Sequence, residues 1–114
     1  MAKNVIFEDG DNLSLPVKAD TQSGDPVLVS ADLTSQLVGV ALTDEGEGGN
    51  PDGYASVQCK GVVDISVTGA VTVVGAPVYI TAANVVNVTN TNVLYGYALE
   101  TKGASASVIR VRIK

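Results

Sequence analysis

The stretch SGDPVLV at residues 23–29 returns, with few changes, as VGAPVYI at residues 74–80. LVGVAL (37–42) follows the first copy, and LYGYAL (94–99) follows the second. Gly-x-Pro is typical of a turn, because proline fixes its own φ and pushes the preceding residue toward an extended conformation. The Val-x-Val or Val-x-Ile that follows is typical of a strand that enters a core. We therefore predict two similar units, each running turn, strand, turn, strand.

The second half of each copy adds a glycine, an alanine and a leucine at matching positions. The residues are Gly39, Ala41 and Leu42 in the first copy, and Gly96, Ala98 and Leu99 in the second. Glycine within a strand allows another backbone to approach closely, and we expect the alanine and the leucine to pack inside. The second copy is the longer one, and its extra residues fall within AANVVNVTNTN (82–92), which predicts a longer hairpin.

Alternating apolar and polar residues predict further strands on both sides of this repeat. Residues 55–67 alternate with a period of two, which predicts one half-buried antiparallel strand bent near Gly61. At the C-terminal end, Ile109, Val111 and Ile113 face one way, and Arg110, Arg112 and Lys114 face the other. The one segment that favours a short helical turn is 30–37, with Ser30 as its cap. The predicted fold is all-β: a small antiparallel sandwich or barrel built from two pseudo-repeated units.

The length and charge of the chain limit its partners. With 114 residues the chain is long enough for one domain, which we place at residues 17–114 after an N-terminal arm or first strand at 1–16. The net charge of −5 gives no electrostatic basis for binding nucleic acid. Residues 65–99 carry no charge, but glycine, proline and β-branched residues interrupt this run, so we interpret it as strands and expect no membrane contact.

The side chains that usually carry catalysis are scarce. The chain has no histidine, and its single cysteine, Cys59, is interpreted as a small buried apolar residue. The acidic residues Asp44, Glu45, Glu47 and Asp52 fit either a loose calcium site or a solvated hairpin. We predict no enzyme activity, no catalytic residue, no cofactor and no metal site.

The uncharged run at 65–99 would promote aggregation if its strands had an open edge. Such an edge is normally covered by closure of the sheet, by a neighbouring subunit or by a partner. The run therefore favours a protein that is oligomeric or bound to a lattice.

Taken in order, six segments of the chain resemble the small all-β capsid decoration (cement) proteins of tailed bacteriophages. They are MAKNVIFEDGDNLSLPV (1–17), SGDPVLV, LVGVAL, GAPVYI, LYGYAL and SVIRVRIK (107–114). The resemblance implies a structural virion protein, made in the bacterial cytoplasm, that binds the outer surface of the phage head and stabilises the capsid. It also implies a homotrimer at threefold or quasi-threefold positions that contacts the major capsid protein. The acidic loop at 44–53 is where this chain departs from the family pattern.

The N-terminal segment supplies the candidate contact residues. Its apolar and basic side chains suit an arm that docks on capsid protein, whereas the alternative is that the segment forms the first strand. The candidate capsid-contact residues are Lys3, Val5, Ile6, Phe7, Leu13 and Leu15.

Two other functions fit the same composition. One is a virion-displayed module that binds host glycan or surface protein, for which the tyrosines are the candidate stacking residues. Of these, Tyr95 and Tyr97 are expected to share a strand face and to pack. The other is a minor structural protein of the tail or connector.

Overall fold

The computed structural model describes residues 12–32, 34–90 and 92–114, and over these ranges the protein is all-β. Within these ranges, one short 3-10 turn, η1 (Val29–Ala31), interrupts the strands. No helix in the described residues is long and apolar enough to span a bilayer. The strands, in chain order, are β1 (Asn12–Pro16), β2 (Pro26–Leu28), β3 (Val38–Ala41), β4 (Tyr54–Gln58), β5 (Val62–Thr68), β6 (Pro77–Ile80), β7 (Val86–Asn87), β8 (Val93–Ala98) and β9 (Ser107–Ile113).

The strands form two sheets that divide the chain into halves. In the first half, four antiparallel strands lie in the order β1-β4-β3-β2, and η1 lies against β1. In the second half, five strands close into a barrel in the order β5-β7-β6-β8-β9. All pairings are antiparallel except that of β5 with β7. The predicted fold class is confirmed, because an open antiparallel sheet and a closed barrel together make up the molecule.

The repeat seen in the sequence is a structural repeat. Val27 lies opposite Gly39 in the β2–β3 pair, and Val78 lies opposite Gly96 in the β6–β8 pair. The amide of Gly24 donates to Ala41 O at 2.8 Å, as the amide of Gly75 does to Ala98 O at 2.7 Å. The two copies therefore fold into the same turn and share the strand register as far as the Val27–Gly39 and Val78–Gly96 pairs, after which the second copy contains a register shift.

The structural repeat is longer than the sequence repeat. In each half the first strand pairs antiparallel with the last strand, and the two registers match. In the first half Leu13 lies opposite Val57, and Leu15 lies opposite Ala55. In the second half Val63 lies opposite Val111, and Ile65 lies opposite Ile109. The first half has the order β1-β4-β3-β2, and the second half has the matching order β5-β9-β8-β6 once the additional strand β7 is set aside. Only the inner hairpin keeps enough identical residues for the repeat to be visible in the sequence.

The glycines at the centre of the repeat are confirmed as points of close backbone approach. A Cβ on Gly39 would lie 2.3 Å from Gln58 O, and a Cβ on Gly96 would lie 2.1 Å from Arg112 O. Ala41 and Ala98 are buried as predicted. The prediction for the leucine is wrong at Leu42, which is 42% exposed because it follows an inward-facing alanine on the strand and so points outward.

The extra residues of the second copy close the barrel. The segment after β6 contains β7, which pairs with both β6 and β5. It therefore bridges two strands and does more than lengthen a hairpin. Closure also covers the uncharged run of residues 65–99, one of the alternatives that the sequence left open. Asn84, from the same segment, uses its Oδ1 to accept from the amide of Leu28 at 3.1 Å, which caps the end of β2 in the other half.

Two predictions about local structure are wrong. Residues 55–67 form two strands in different sheets, β4 and β5, because Gly61 adopts φ +109 and ends the extended run. Ser30 does not cap a helix: it lies inside η1 with φ 66 and makes no capping bond. Cys59, expected to be buried, is only partly so; it follows the end of β4 and packs against the apolar cluster of the first half.

Two apolar clusters form the interior. The smaller one fills the first half with small side chains: Val17, Val27, Val29, Ala41, Ala55 and Val57. The larger one fills the barrel and also takes in Leu28, Val38 and Val40 of the first half. These three residues lie on the outer face of the β2–β3 hairpin, and we call this face the junction. The two halves are therefore joined by burying the outer face of the first hairpin against the second half.

Tyr95 adds a hydrogen bond to this junction, and its loss should be measurable. The fully buried Tyr95 hydroxyl donates to Gly39 O at 2.8 Å. Tyr95→Phe is expected to lower the free energy of unfolding by about 1 kcal/mol, because Gly39 O loses a buried donor. Urea titrations of both proteins at neutral pH measure this difference.

The same substitution should change the response to alkaline pH. Burial raises the pKa of the Tyr95 phenol, so the folded state keeps a proton that the unfolded state loses above about pH 10. The stabilisation that the Tyr95 phenol contributes is fully present below the pKa of this phenol in the unfolded chain, and it decreases as the pH rises above that value. We expect the stability of the wild type to fall more steeply than that of Tyr95→Phe between about pH 9 and pH 11. Parallel slopes would contradict this role of Tyr95.

Candidate functional site

The acidic loop at residues 44–53 is folded down onto the first sheet. Its Asn50 side-chain amide donates to Thr43 Oγ1 at 3.3 Å and to Ser56 Oγ at 3.2 Å. The Asn50 carbonyl accepts from Ser14 Oγ at 2.5 Å. Asn50 therefore connects the loop to both β1 and β4, and the loop is a fixed part of the first half.

The carboxylates of this loop are partly engaged by backbone amides. Asp44 Oδ1 accepts from the amide of Ser23 at 2.8 Å, and Glu45 Oε2 accepts from the amide of Gly53 at 2.8 Å. Within residues 12–32, 34–90 and 92–114 no group of three or more His, Cys, Asp or Glu side chains is placed to hold a metal ion. Hydrogen bonds from backbone amides to the carboxylates of Asp44 and Glu45 therefore help to hold the loop in place.

Two shallow clefts lie beside Thr21. One has a volume of about 160 Å³ and is lined by residues that include Lys18, Asp25 and Asn84. The other has a volume of about 240 Å³ and is lined by Asp20, Thr21, Gln22, Asp44, Glu45 and Glu47. Both are small and polar, whereas small-molecule sites are typically about 300–1,000 Å³ and mostly apolar.

The structure places two of the candidate arm residues on a strand. Leu13 and Leu15 lie on β1, and Leu15 packs against the apolar cluster of the first half. Asn12–Pro16 form β1, an edge strand of the first sheet. Lys3, Val5, Ile6 and Phe7 lie outside the described residues.

The exposed surface of the barrel carries a mixed apolar and basic face. Strand register places Pro77, Tyr97, Arg112 and Val62 side by side across β6, β8, β9 and β5. All four are exposed, Tyr97 at 37% and Val62 at 52%. We call this row the barrel wall. The next pair along β9 and β5 is Arg110 with Asp64, whose side chains lie 3.8 Å apart and are largely solvated, so their attraction is weak.

The tyrosines differ from the sequence expectation. Tyr95 is buried and Tyr97 is exposed, so the prediction that they share a packed face is wrong. The cause is a register shift opposite Val78 and Tyr79, which adds a residue to β8 and changes the side to which Tyr95 points. Burial also removes Tyr95 from the candidate sugar-stacking residues.

Charge is divided between the two halves. Residues 12–58 contain seven acidic residues and one basic residue, whereas residues 59–114 contain five basic and two acidic residues. The basic side chains on β9 alternate with buried ones, as predicted, so Arg110 and Arg112 point outward. Among the described residues, the barrel-wall residue Arg112 makes no ion pair. The two halves therefore carry opposite net charge.

A compact β-scaffold with small polar clefts and an exposed apolar and basic wall is typical of a structural protein that acts through its surface. A family model supports this class directly: the model described as phage cement protein matches residues 7–113. The chain belongs to the phage cement protein family, whose members are structural components associated with the phage capsid. Neither the curated proteins nor the solved structures contain a match to the chain.

Sequence reasoning missed the barrel wall as a site. The alternation of Arg110 and Arg112 was visible, but the side chains beside them come from distant parts of the chain. Only the strand register aligns Pro77, Tyr97 and Val62 with Arg112. The usable signal was the repeat itself, since Pro77 and Tyr97 occupy the positions of Pro26 and Val40.

Proposed function

We propose that this protein is a capsid decoration protein that binds the outer surface of the assembled phage head and stabilises the capsid lattice. The observation that carries the proposal is the family match over residues 7–113, nearly the whole chain. On this proposal the protein bridges neighbouring subunits of the major capsid protein as a homotrimer at threefold or quasi-threefold positions. It performs no reaction, and its value lies in the contacts that it makes.

The geometry is consistent with a protein that must hold its shape between other subunits. The barrel is closed, the two halves share a buried junction, and the acidic loop is fixed by hydrogen bonds. A rigid protein loses little conformational freedom on binding, so more of its contact energy is available for holding the lattice. An interface of ordinary size, about 800 Å² per partner, is sufficient when many sites act together.

The proposed capsid contact is the N-terminal segment, with Lys3, Val5, Ile6, Phe7, Leu13 and Leu15 as the contact residues. Because Leu13 and Leu15 lie on β1, they form the base of the arm and connect it to the first sheet. Apolar residues that precede a sheet strand are suited to docking on a partner.

The test is rebinding to heads that lack the protein. Purified protein is mixed with expanded heads and with unexpanded proheads, and bound copies are counted by quantitative gel densitometry after sedimentation. We expect saturable binding to expanded heads at a copy number near that of the lattice positions, and greater resistance of the decorated heads to heat. Binding of only a few copies per particle favours the tail or connector alternative, and binding to a glycan array favours the host-binding module. Either result, without saturable head binding, would overturn the proposal.

A further inference from the structure

The outer faces of the two equivalent hairpins, β2–β3 and β6–β8, differ in exposure. In the first half the outer face of the hairpin, the junction, is buried: Leu28 is 0% and Val38 is 2% exposed. The same face of the second hairpin carries Pro77, Tyr79 and Tyr97, and both Pro77 and Tyr97 are exposed. The chain thus contains one copy of this face that is buried between the halves and one copy that is exposed.

The exposed copy has the composition of a contact surface. Tyrosine and arginine are enriched at protein interfaces, since both combine a large contact area with polar groups. The barrel wall brings Tyr97 and Arg112 together with the apolar Pro77 and Val62 in one row. Four neighbouring strands hold this row, so the surface is rigid before it binds.

Charge decides between the ways in which two copies can meet. A contact of wall with wall would bring Arg112 near Arg112 of the other wall, which is unfavourable. A contact of the wall with the first half of another copy brings Arg112 to a region with seven acidic residues and one basic residue. The acidic side chains concentrate around one cleft, lined by Asp20, Asp44, Glu45 and Glu47.

We propose that the barrel wall, centred on Tyr97 and Arg112, binds the acidic first half of a second copy of this chain, head to tail. The inference deepens the proposed function, because it names the surfaces that join the copies of the proposed oligomer. A head-to-tail contact uses two different surfaces of each subunit, so it forms a ring when the rotation closes. Opposite charges at the two surfaces also orient the copies as they meet.

The test measures self-association of the full chain by sedimentation velocity up to about 100 µM in about 50 mM NaCl, where charge screening is low. We expect the wild type to form a defined oligomer. Tyr97→Glu places a carboxylate at the centre of the wall, facing an acidic partner, and should weaken self-association by at least about tenfold. The matched control is Val108→Glu: Val108 is 64% exposed and lies on the same strand as Arg112, but four residues away from it and opposite Ser66.

A second variant tests the charge contribution without altering an apolar contact. Arg112→Glu reverses an exposed charge that makes no ion pair in the described residues, so the fold should be retained. We expect Arg112→Glu to assemble several-fold less tightly than the wild type, and the wild type to assemble less tightly in about 500 mM NaCl. Thermal unfolding of each variant checks that the fold is intact.

The outcomes separate this inference from the proposed function. A wild type that sediments as a monomer, a Tyr97→Glu protein that assembles like the wild type, or an equal loss in Val108→Glu overturns the inference. Wild-type protein that assembles through the wall but fails to bind expanded heads overturns the proposed function and supports the inference. Wild-type protein that binds heads but is monomeric in solution overturns the inference and supports the proposed function.

Discussion

Replacing Gly96 by alanine is expected to lower the free energy of unfolding by about 3 kcal/mol or more. The new Cβ would lie 2.1 Å from Arg112 O and 3.2 Å from Ile113 Cα. Both atoms belong to the backbone of β9, which cannot move aside as a flexible side chain would. Strands β8 and β9 must therefore separate, and hydrogen bonds that close the barrel are lengthened or lost.

The control for this substitution lies a few residues further along the same chain. Gly103 has no heavy atom within 4 Å of a Cβ position, so Gly103→Ala should be close to neutral, within about 0.5 kcal/mol. Urea denaturation of the three proteins measures the differences. Gly39→Ala provides a test of the repeat, because its Cβ would meet Gln58 O at 2.3 Å in the same way. Gly96→Ala and Gly103→Ala with equal stability would contradict close approach as the reason for glycine.

Removing residues 1–11 is expected to reduce head binding by more than about a hundredfold, because several apolar anchors are lost together. The deletion ends before Asn12, so β1 and its five-residue pairing with β4 are retained. The truncated protein should therefore unfold at close to the wild-type temperature. Rebinding to expanded heads and thermal unfolding, measured on the same preparation, check the two expectations.

A substitution gives this prediction a sharper form. Phe7→Ser removes the single phenylalanine of the chain and leaves every other residue in place. We expect it to weaken head binding at least about tenfold with no change in unfolding. Leu13→Ser changes a second proposed contact residue, and because Leu13 is half-buried on β1 we expect it to lower the free energy of unfolding as well as head binding. Full head binding by the deletion protein would refute the arm as the capsid contact.

The sequence was most informative where local chemistry determines the backbone. Gly24-Asp25-Pro26 and Gly75-Ala76-Pro77 predicted the two turns, and the structure confirms both. The alternation from Ile109 to Ile113 predicted β9 and its outward arginines. These features depend on neighbouring residues, so a single stretch of sequence is enough to predict them.

The rest depended on contacts between distant residues. Residues 55–67 keep the same alternation through Gly61, so nothing local showed that β4 and β5 belong to different sheets. The closing strand β7 has only two residues, and its parallel pairing with β5 has no signal in the sequence. The barrel wall was missed for the same reason, because Val62 and Pro77 become neighbours of Arg112 only through register.

The acidic loop shows a different limit. Composition indicated a solvated hairpin, because glycine and carboxylates dominate residues 44–53. The structure shows that Asn50 makes hydrogen bonds to β1 and β4 and that Glu45 binds the amide of Gly53. A polar loop is ordered here by its own side chains, which composition does not reveal.

Closure of the barrel by β7 also bears on crowding. The longest uncharged part of the chain lies in a closed barrel, so its strands leave no open sheet edge to which a neighbour's strand could add. Copies can then stand side by side at high local density without their barrel strands pairing with one another. The absence of an open barrel edge favours an ordered layer of separate subunits over fibrous aggregation.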